Sequence, residues 1–330
     1  MTNDRARSDQ GGEAAAPLRL AIIGLGIMGE RLARAAAAHE GWEVAAAADP
    51  DPAAAARLAA IAPAARFCAT PEEAVALADA VHVASPPAAH IAQGRAVLEA
   101  GRALLLEKPL SHDVPAARDF VAWARGRPAS VNFPMVSSPA VAQLMAWLPG
   151  IGALQSVDIT LAFAAWPRSW QRGAAAWLSR RAEGGFTREV ASHFLFLAQR
   201  LGGQLALEAG QAEFPPGDGS EVAVTARLRA GALPVALRGA VGGTEADDHN
   251  LFVLEGAAGR LRLRDWSIAE RWDGCAWREA PDARPNAEMR PLTLRGQLDR
   301  LAALRRGGNS GLATLEEALA VQEAVEAMLG

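Results

Sequence analysis

The sequence predicts an α/β domain built on a parallel sheet, followed by an α+β domain with a large, mostly antiparallel open sheet. In the first part of the chain, short apolar runs alternate with helical segments, as expected for a repeated β-α unit. A glycine-rich turn directly follows the first apolar run. Beyond residue 139 the pattern changes to strands separated by Gly and Pro turns, which is typical of an antiparallel sheet.

Length and composition limit what the protein can be. The 330 residues suffice for two domains, which we place at 17–134 and 135–330, after a disordered lead-in over 1–16. A net charge of −4 without a basic stretch argues against nucleic acid, and no apolar run is long enough to cross a bilayer. Cys68 and Cys275 are too few for a disulfide framework or a metal cluster. We therefore expect a cytoplasmic protein without a metal.

The cationic residues are unusual, because 32 of the 33 Lys and Arg residues are Arg, and Tyr is absent. A drift from Lys to Arg is harmless where a cation only solvates the surface. It is not harmless where chemistry needs a compact ammonium group that can lose its proton, since Arg stays charged and planar. Lys108 is the single lysine, which makes it a candidate functional residue. Survival by chance is an equally good interpretation of the composition alone.

The turn after the first apolar run has the form G-x-G-x-x-G and precedes a predicted helix. Gly24 allows the tight turn, Gly26 lets a diphosphate approach the backbone, and Gly29 lets the helix pack on the strand. The N–H groups at the start of the helix are free to face an anion, so Ile27 and Met28 are expected beside the diphosphate. The first domain is therefore predicted to be a Rossmann dinucleotide-binding domain.

A second predicted strand ends in Asp49, 20 residues after the last glycine of the turn. A carboxylate at this place accepts hydrogen bonds from both ribose hydroxyls and repels a 2′-phosphate. No Arg follows immediately, since the next residues are Pro50, Asp51 and Pro52. The predicted cofactor is therefore NAD in preference to NADP. The alternative is that Asp49 only caps the next helix.

Two further strand ends carry residues that belong at the same edge of the predicted sheet. The fourth strand leads into Ser85 and Pro86, with His90 opening the next helix, and the fifth leads into Glu107 and Lys108. Ligands of open parallel sheets bind beyond the carboxyl ends of the strands, so all five residues are predicted beside the cofactor. For His90, capping or packing of the helix is the alternative.

In the second half, a helix predicted from Thr187 to Leu201 carries Glu189 and His193 four residues apart, and so on one face. A carboxylate can fix the tautomer of a histidine and raise its basicity, and the ordinary histidine pKa lies near neutral pH. The pair is therefore a candidate general base. Arg188 can bind a carboxylate or phosphate through two hydrogen bonds. The alternative is that it is an ordinary surface residue or caps the helix.

Three tryptophans precede this helix, and two of them, Trp170 and Trp177, are candidate substrate contacts. An indole ring can stack on the apolar face of a sugar, but it can equally belong to the core or to a subunit interface. Both interpretations stay open at the level of the sequence.

Five segments of the sequence share a common pattern with a known family: Gly24–Gly29, Ala84–His90, Glu107–Pro109, Gly184–His193 and Leu254–Leu261. They resemble the glucose–fructose oxidoreductase / inositol dehydrogenase (Gfo/Idh/MocA) family. The resemblance implies a C-terminal domain with a large open sheet that covers the nicotinamide end of the cofactor and is often used for oligomerisation. It also implies that Lys108 and His193 are catalytic, with the acidic residue four before the histidine as their partner.

The sequence departs from the family pattern around the substrate. The family usually has Asp where this chain has Glu189, and often a further Asp where it has Phe196. An Arg commonly found after the sixth strand is absent, and Arg188 is a possible replacement. These departures argue against a simple inositol or glucose substrate.

The sequence therefore predicts an NAD-dependent oxidoreductase that oxidises a secondary alcohol or hemiacetal carbon of a sugar, polyol or related small molecule. In this hypothesis Lys108 stabilises the alkoxide, His193 accepts the hydroxyl proton, and Glu189 orients the histidine. A glycoside-cleaving enzyme of the same fold and a non-catalytic NAD-sensing regulator are the alternatives from other classes, and an imine or keto-acid substrate held by Arg188 is a third. A homodimer or homotetramer is expected.

Overall fold

The computed structural model of the chain describes residues 16–330. The lead-in predicted over 1–16 lies outside the described part, apart from its last residue. The first half alternates strands and helices as the apolar pattern predicts. Its elements, in chain order, are β1 (Leu18–Ile23), α1 (Ile27–Ala37), β2 (Trp42–Ala48), α2 (Ala54–Ile61), β3 (Arg66–Cys68), α3 (Pro71–Ala76), β4 (Ala80–Val83), α4 (Pro87–Glu99), β5 (Ala103–Leu106), α5 (Val114–Ala124) and β6 (Ala129–Val131).

These six strands form one parallel sheet in the order β3-β2-β1-β4-β5-β6. The strands β4 and β5 are buried along their whole length, because helices cover both faces of a parallel sheet. The winding reverses between β1 and β4, and a crevice opens there beyond the carboxyl ends of the strands. The glycine turn, Asp49, Ser85 and Lys108 all follow strands at this edge. The predicted Rossmann sheet is confirmed.

The second half is built around another sheet. Its elements are α6 (Pro139–Trp147), β7 (Leu154–Phe163), α7 (Ala175–Leu178), α8 (Ser192–Gly202), β8 (Leu205–Glu213), β9 (Ala223–Ala230), β10 (Leu233–Val241), β11 (His249–Gly256), β12 (Gly259–Arg264), β13 (Ile268–Trp272), β14 (Trp277–Glu279), α9 (Asn286–Arg305) and α10 (Leu315–Leu329).

The second sheet has eight strands in the order β14-β13-β12-β11-β7-β10-β9-β8. Only the pair β7 and β10 is parallel among these described strands, so the predicted large, mostly antiparallel sheet is confirmed. Buried and exposed residues alternate along β9 and β10, because one face packs inward and the other does not. Helices α6, α8 and α10 pack on the buried face.

Helix α9 is the longest element that the sequence analysis did not predict. Its leucines Leu294, Leu298 and Leu301 lie on one face of the helix and join the core of the first sheet beside Leu20 and Ile22. The predicted division at residue 134 assigns this segment to the second domain, whereas the helix packs against the first sheet. The apolar face of α9 is narrow and its other faces are rich in Arg, so the spacing of apolar residues in the sequence does not indicate a helix clearly.

Two helices begin at a threonine whose side chain caps the helix. The hydroxyls of Thr70 and Thr314 accept hydrogen bonds from the N–H groups of Glu73 and Glu317, at 3.3 and 3.2 Å. The short strands β13 and β14 were not predicted. No helix of residues 16–330 combines the length and the apolar character needed to cross a bilayer.

Candidate active site

A large cleft lies at the carboxyl edge of the first sheet and is closed from the other side by residues of the second half. Its volume of about 1370 Å³ exceeds the roughly 300–1,000 Å³ of ordinary small-molecule pockets. It is lined by the glycine turn, by Lys108 at the end of β5, and by Glu189 and His193. Candidate groups that are far apart in the sequence therefore meet in one cavity.

The glycine turn is shaped to accept a diphosphate. A Cβ atom on Gly29 would lie 1.9 Å from the carbonyl oxygen of Gly24, so the turn cannot close around a side chain there. A Cβ on Gly26 would meet nothing within 4 Å, which leaves open space in front of the backbone. Gly26 also provides no side-chain cap, so the first N–H groups of α1 stay available for an anion. These residues fit a bound dinucleotide.

Asp49 lies at the end of β2 and anchors the turn. Its two carboxylate oxygens accept hydrogen bonds from the backbone N–H groups of Leu25 and Asp51, at 2.6 and 2.8 Å. Arg57 enters the same region from α2, although no Arg follows Asp49 directly in the sequence. It forms ion pairs with Glu30 at 3.0 Å and with Asp51 at 3.1 Å. The sequence analysis missed Arg57 because α2 returns it to the cleft.

Of the other predicted cofactor contacts, Ile27, Met28, Ser85 and Pro86 line the cleft. The Ser85 hydroxyl donates a hydrogen bond to the Gln93 side chain at 2.5 Å. That contact holds the loop after β4 against α4. Four of the predicted positions are therefore available to a bound cofactor.

The prediction that His90 contacts the cofactor is wrong in this structure. His90 is 1% exposed and does not line the cleft. Its two ring nitrogens lie 2.8 Å from the carbonyl oxygens of Pro109 and Ser85. It therefore ties together the loops that follow β4 and β5, which is the packing alternative. Burial lowers the pKa of His90, and its two backbone hydrogen bonds offset only part of that effect.

Lys108 and Glu189 form a buried ion pair in the cleft. The Lys108 Nζ atom is 2.8 Å from the Glu189 carboxylate, and the two side chains are 10% and 15% exposed. The prediction that Glu189 orients His193 is therefore corrected, since the described partner of this carboxylate is the lysine. The extra methylene of Glu relative to Asp helps the carboxylate to reach across to the end of β5. The pair holds the ammonium group at a fixed place.

Glu107, next to the lysine, is held from behind by the first sheet. Its carboxylate lies 3.0 Å from the His82 ring and accepts a hydrogen bond from the Asn132 amide at 2.6 Å. Burial raises the pKa of Glu107, but His82, Asn132 and the Lys108 charge outweigh it and keep the pKa below its ordinary value. The carboxylate is thus ionised and fixes the strand end that carries Lys108. His82 itself is fully buried within β4.

A tight turn leads into the helix that carries Glu189 and His193. Gly185 has φ of +100°, and a Cβ atom there would lie 2.0 Å from a carboxylate oxygen of Glu221. The other Glu221 oxygen accepts a hydrogen bond from the N–H of Thr187 at 2.7 Å. The helix predicted from Thr187 begins with a π-helical turn, Thr187–Ala191, before α8. Such turns are frequent at functional sites, because they redirect side chains locally.

Replacing Glu221 by Gln should remove a pH dependence of stability. Burial raises the pKa of Glu221, so this group favours the folded state below its unfolded pKa of about 4.3 and loses that contribution as pH rises through the folded pKa. Each unit of the shift corresponds to about 1.4 kcal/mol. Chemical unfolding at several pH values should show wild type losing stability relative to E221Q as pH rises. Parallel curves for the two proteins would contradict this assignment.

His193 lies in an apolar part of the cleft. Its ring packs edge-on against Phe133 and Trp266, with centroids 5.4 and 5.6 Å apart. Phe196, in place of the family's Asp, stacks on Phe133 at 4.6 Å. Within residues 16–330 the Nδ1 atom of His193 has no hydrogen-bond partner. The ring is therefore positioned by packing.

The environment of His193 changes its basicity. Burial lowers its pKa well below the ordinary value, and the charges of Lys108 and Arg168 lower it further. A histidine pKa near neutral pH was expected, and this expectation is wrong for the protein without ligands. The physical reason is that an imidazolium would be both desolvated and surrounded by cations. At neutral pH the ring is neutral and able to accept a proton.

Arg188, predicted as a possible substrate contact, is held by other parts of the protein in this structure. Its guanidinium forms a bidentate ion pair with Glu326, with both distances 2.7 Å. A third nitrogen donates to the carbonyl oxygens of Arg181 and Gly184, at 2.9 and 2.8 Å. Arg188 does not line the main cleft. It ties the turn before α8 to α10, as a structural arginine does.

Both predicted tryptophans line the cleft. Trp170 is 39% exposed, and two guanidiniums lie over its ring, that of Arg31 at 4.5 Å and that of Arg168 at 4.6 Å from the centroid. Such contacts hold planar cations at fixed places. The third tryptophan, Trp166, instead packs on Phe163 and belongs to the core.

The sequence analysis missed Arg168, which the structure places in the cleft. Its side chain is 8% exposed and forms an ion pair with Asp248 at 2.7 Å. The same carboxylate accepts a hydrogen bond from the Trp266 indole at 3.1 Å, and Trp266 packs on His193. In a chain with 32 arginines, nothing in the sequence sets this one apart. The signal that could have found it is its place between Trp166 and Trp170.

The comparisons with known proteins agree with this architecture. Residues 18–133 match the model of the GFO_IDH_MocA family, described as an oxidoreductase family with an NAD-binding Rossmann fold. No curated protein matches the sequence.

Solved structures are similar over the whole fold. An oxidoreductase from Agrobacterium radiobacter, in complex with NAD⁺, L-tartaric acid and magnesium, aligns with a TM-score of 0.79 and 18% identity over 94% of each chain. A myo-inositol dehydrogenase from Corynebacterium glutamicum aligns with a TM-score of 0.73 and 22% identity, over 95% of this chain and 96% of its own. Biliverdin reductase from Synechocystis, in complex with biliverdin and NADP⁺, aligns with a TM-score of 0.74 and 20% identity, over 94% of this chain and 96% of its own. At these identities the likeness is one of fold.

A glycine turn at the switch point of the first sheet, and a sequence match over that sheet, define a Rossmann domain of the NAD-binding kind found in an oxidoreductase family. Residues 18–133, which form the first sheet and its helices, match the model of the Gfo/Idh/MocA family. The resemblance is thereby confirmed for the three motifs within residues 18–133, and beyond residue 133 the similarity is one of fold.

Proposed function

We propose that this protein oxidises a secondary alcohol or hemiacetal carbon of a sugar, polyol or related small molecule, with NAD as the acceptor. The observation that carries the proposal is the common cleft: Lys108 and His193 line the same cavity as the glycine turn. A nicotinamide cofactor held by the glycine turn and Asp49 would supply the acceptor for the hydride of the carbinol carbon. The remaining chemistry, removal of the hydroxyl proton and stabilisation of the oxygen, falls to side chains.

Lys108 is suited to stabilise the developing alkoxide. Its ammonium group is held by Glu189 at 2.8 Å and is nearly excluded from water, which strengthens its interaction with a negative oxygen. A preorganised donor of this kind needs no reorganisation when the charge develops. Glu107 fixes the strand end behind it. We assign Lys108 as the group that binds the reacting oxygen.

His193 is suited to accept the hydroxyl proton. The ring is neutral in the free protein, and its pKa is lowered by burial and by neighbouring cations. Binding of ligands that reduce the positive field would raise the pKa toward the working range, where a general base is most effective. We assign Glu189 to positioning Lys108, with contact to a neighbouring substrate hydroxyl as a second role.

The preference for NAD over NADP is supported by the charges around Asp49. The guanidinium of Arg57, which lines the same cleft, is already paired with Glu30 and Asp51. A 2′-phosphate at the ribose would meet these carboxylates as well as Asp49. The local charge therefore disfavours the phosphate.

Replacing Asp49 by Asn should weaken NAD⁺ binding about tenfold or more, since hydrogen bonds to a charged group are worth about 1.5–3 kcal/mol. The affinity for NADP⁺ should hold or rise, because a repelling charge is gone. Calorimetric titration of both cofactors checks this. Asp119, exposed on α5 without a described ion pair, provides the control D119N, which should bind as wild type does. Tighter binding of NADP⁺ than of NAD⁺ by the wild type would contradict the prediction.

A substrate screen tests the proposal as a whole. Polyols, aldoses and sugar acids are incubated with the protein and NAD⁺ or NADP⁺, and formation of the reduced cofactor is followed by its absorbance. Formation of NADH with at least one member is the expected result. Release of an aglycone without net NADH would favour the glycoside-cleaving alternative. Cofactor binding without any turnover would favour the regulatory one.

A further inference from the structure

Three arginines line the cleft where the second half of the chain covers it: Arg31 on α1, Arg168 after β7 and Arg290 on α9. Arg31 and Arg168 share the ring of Trp170, at 4.5 and 4.6 Å from its centroid. Arg290 lies close enough for the charge of Arg168 to lower its pKa, after the larger effect of burial. The three guanidiniums therefore form one cationic cluster.

Three carboxylates act on the cluster, those of Glu107, Asp247 and Asp248, but among the described residues only Asp248 forms an ion pair with one of its arginines. Asp248 pairs with Arg168, and its Oδ2 atom also accepts from Trp266. Among the described residues, neither Arg31 nor Arg290 forms an ion pair with a carboxylate. Burial, together with the charges of Arg290 and Arg168, lowers the pKa of Arg31 to about 10, although the charge of Glu107 acts in the opposite direction. Partly buried cations without counter-ions are costly unless a ligand neutralises them.

Arg188 shows what a purely structural arginine looks like in this chain. All its described contacts are to protein acceptors, with Glu326 bidentate and two backbone carbonyls on the remaining nitrogen. Arg290 has no described hydrogen bond to the protein. Arg290 follows the first turn of α9, which also lines the cleft and has no side-chain cap. The N–H groups of Glu288 and Met289 donate to the carbonyl oxygen of Pro285, which leaves those of Asn286 and Ala287 without a described partner. The free guanidinium and the free N–H groups point to the same kind of ligand, an anion.

We propose that Arg168 and Arg290, with Arg31 beside them, bind an anionic group of the substrate, a carboxylate or a phosphate, at the part of the cleft next to His193. The proposal rests on the proposed function in taking the ligand to be the molecule that is oxidised. It names the substrate class as acidic: a hydroxy acid, a sugar acid or a sugar phosphate.

Two observations place this group on the substrate and not on the cofactor. The diphosphate of a dinucleotide is served by the glycine turn and the start of α1. Arg168 is joined to His193 through Asp248 and Trp266, so the cluster extends to the catalytic histidine. An anion there would also reduce the positive field that keeps His193 a weak base. Substrate binding would thus prepare the general base.

The test uses the wild-type protein saturated with NAD⁺ and titrates four probes by calorimetry: gluconate, glucitol 6-phosphate, inorganic phosphate and the neutral polyol glucitol. At least one anion should bind about tenfold or more tightly than glucitol. The R290Q substitution should lower the affinity for that anion by about 10- to 100-fold. Binding of NAD⁺ should be unchanged in R290Q. Arg125, exposed at the end of α5, gives the matched control R125Q, which should behave as wild type.

Three results would overturn the proposal. In the first, the wild type binds no anion more tightly than glucitol. In the second, R290Q prefers the anion as strongly as the wild type does. In the third, R290Q loses affinity for NAD⁺ while its affinity for the anions is unchanged. The third result would assign the cluster to the cofactor. Formation of NADH in the same mixtures separates this proposal from the proposed function. Anion binding without turnover leaves the cluster assigned and removes the oxidation, whereas turnover of glucitol without anion preference does the reverse.

Discussion

Replacing Lys108 by Met should lower kcat by about 10²–10³-fold, the effect expected when one preorganised donor to a developing oxyanion is removed. The affinity for NAD⁺ should change little, since the glycine turn and Asp49 serve the other end of the cofactor. Steady-state kinetics with the best substrate of the screen, together with calorimetric NAD⁺ titration, measures both.

The loss in K108M must be separated from the effect of leaving Glu189 unpaired in a buried place. The double variant K108M/E189Q removes that charge, and it should stay about as slow as K108M if the missing ammonium is the cause. Lys108→Arg keeps the charge but places a larger, planar group there, and it should also be strongly impaired. Normal turnover of K108R would mean that Lys108 does not have the role assigned here.

Replacing His193 by Asn should lower kcat/KM by about 10²–10⁴-fold, the range for loss of a general base. The pH profile gives the sharper test. The neutral imidazole is the active form, so the wild-type rate should rise with pH through the pKa of His193 and then level off. Because the pKa of His193 is lowered in the free protein, the rising part of the plot of kcat/KM against pH (its acidic limb) should lie below about pH 6.5.

The same profile connects the histidine to the arginine cluster. With an anionic substrate bound, the limb in kcat, which reports the complex, should lie at higher pH than the limb in kcat/KM. In H193N the limb should disappear. An unchanged limb in that variant would assign the titration to another group, and His193 would not be the base.

Much of the fold follows from local patterns in the sequence. The strands β1 to β6, their order of appearance and the glycine turn could be predicted, because apolar runs and turn residues act within a few positions of each other. Helix α9 and the strands β13 and β14 could not. Their residues are polar and weakly periodic, and α9 becomes stable by packing Leu298 and its neighbours on the first sheet.

In the candidate site, too, some residues could be predicted from the sequence and others could not. Lys108, Asp49 and the glycines follow strands of one parallel sheet, so topology alone predicts that they meet. The partners of these groups were harder to predict. Glu189 pairs with the lysine and not with its helix neighbour His193, and Arg188 turns away to Glu326. Sequence spacing gives the face of a helix but not what lies opposite that face.

The sequence by itself determined the class of this protein: a Rossmann sheet, a dinucleotide turn and one lysine at a strand end. Only the tertiary structure decided which cations are free. Arg188 and Arg290 are the same residue type with the same charge, and no local pattern distinguishes them. The first is neutralised by a carboxylate from α10, whereas the second faces the cleft without one. The electrostatics of a site depend on distances across the fold, which nearest-neighbour patterns in a sequence do not contain.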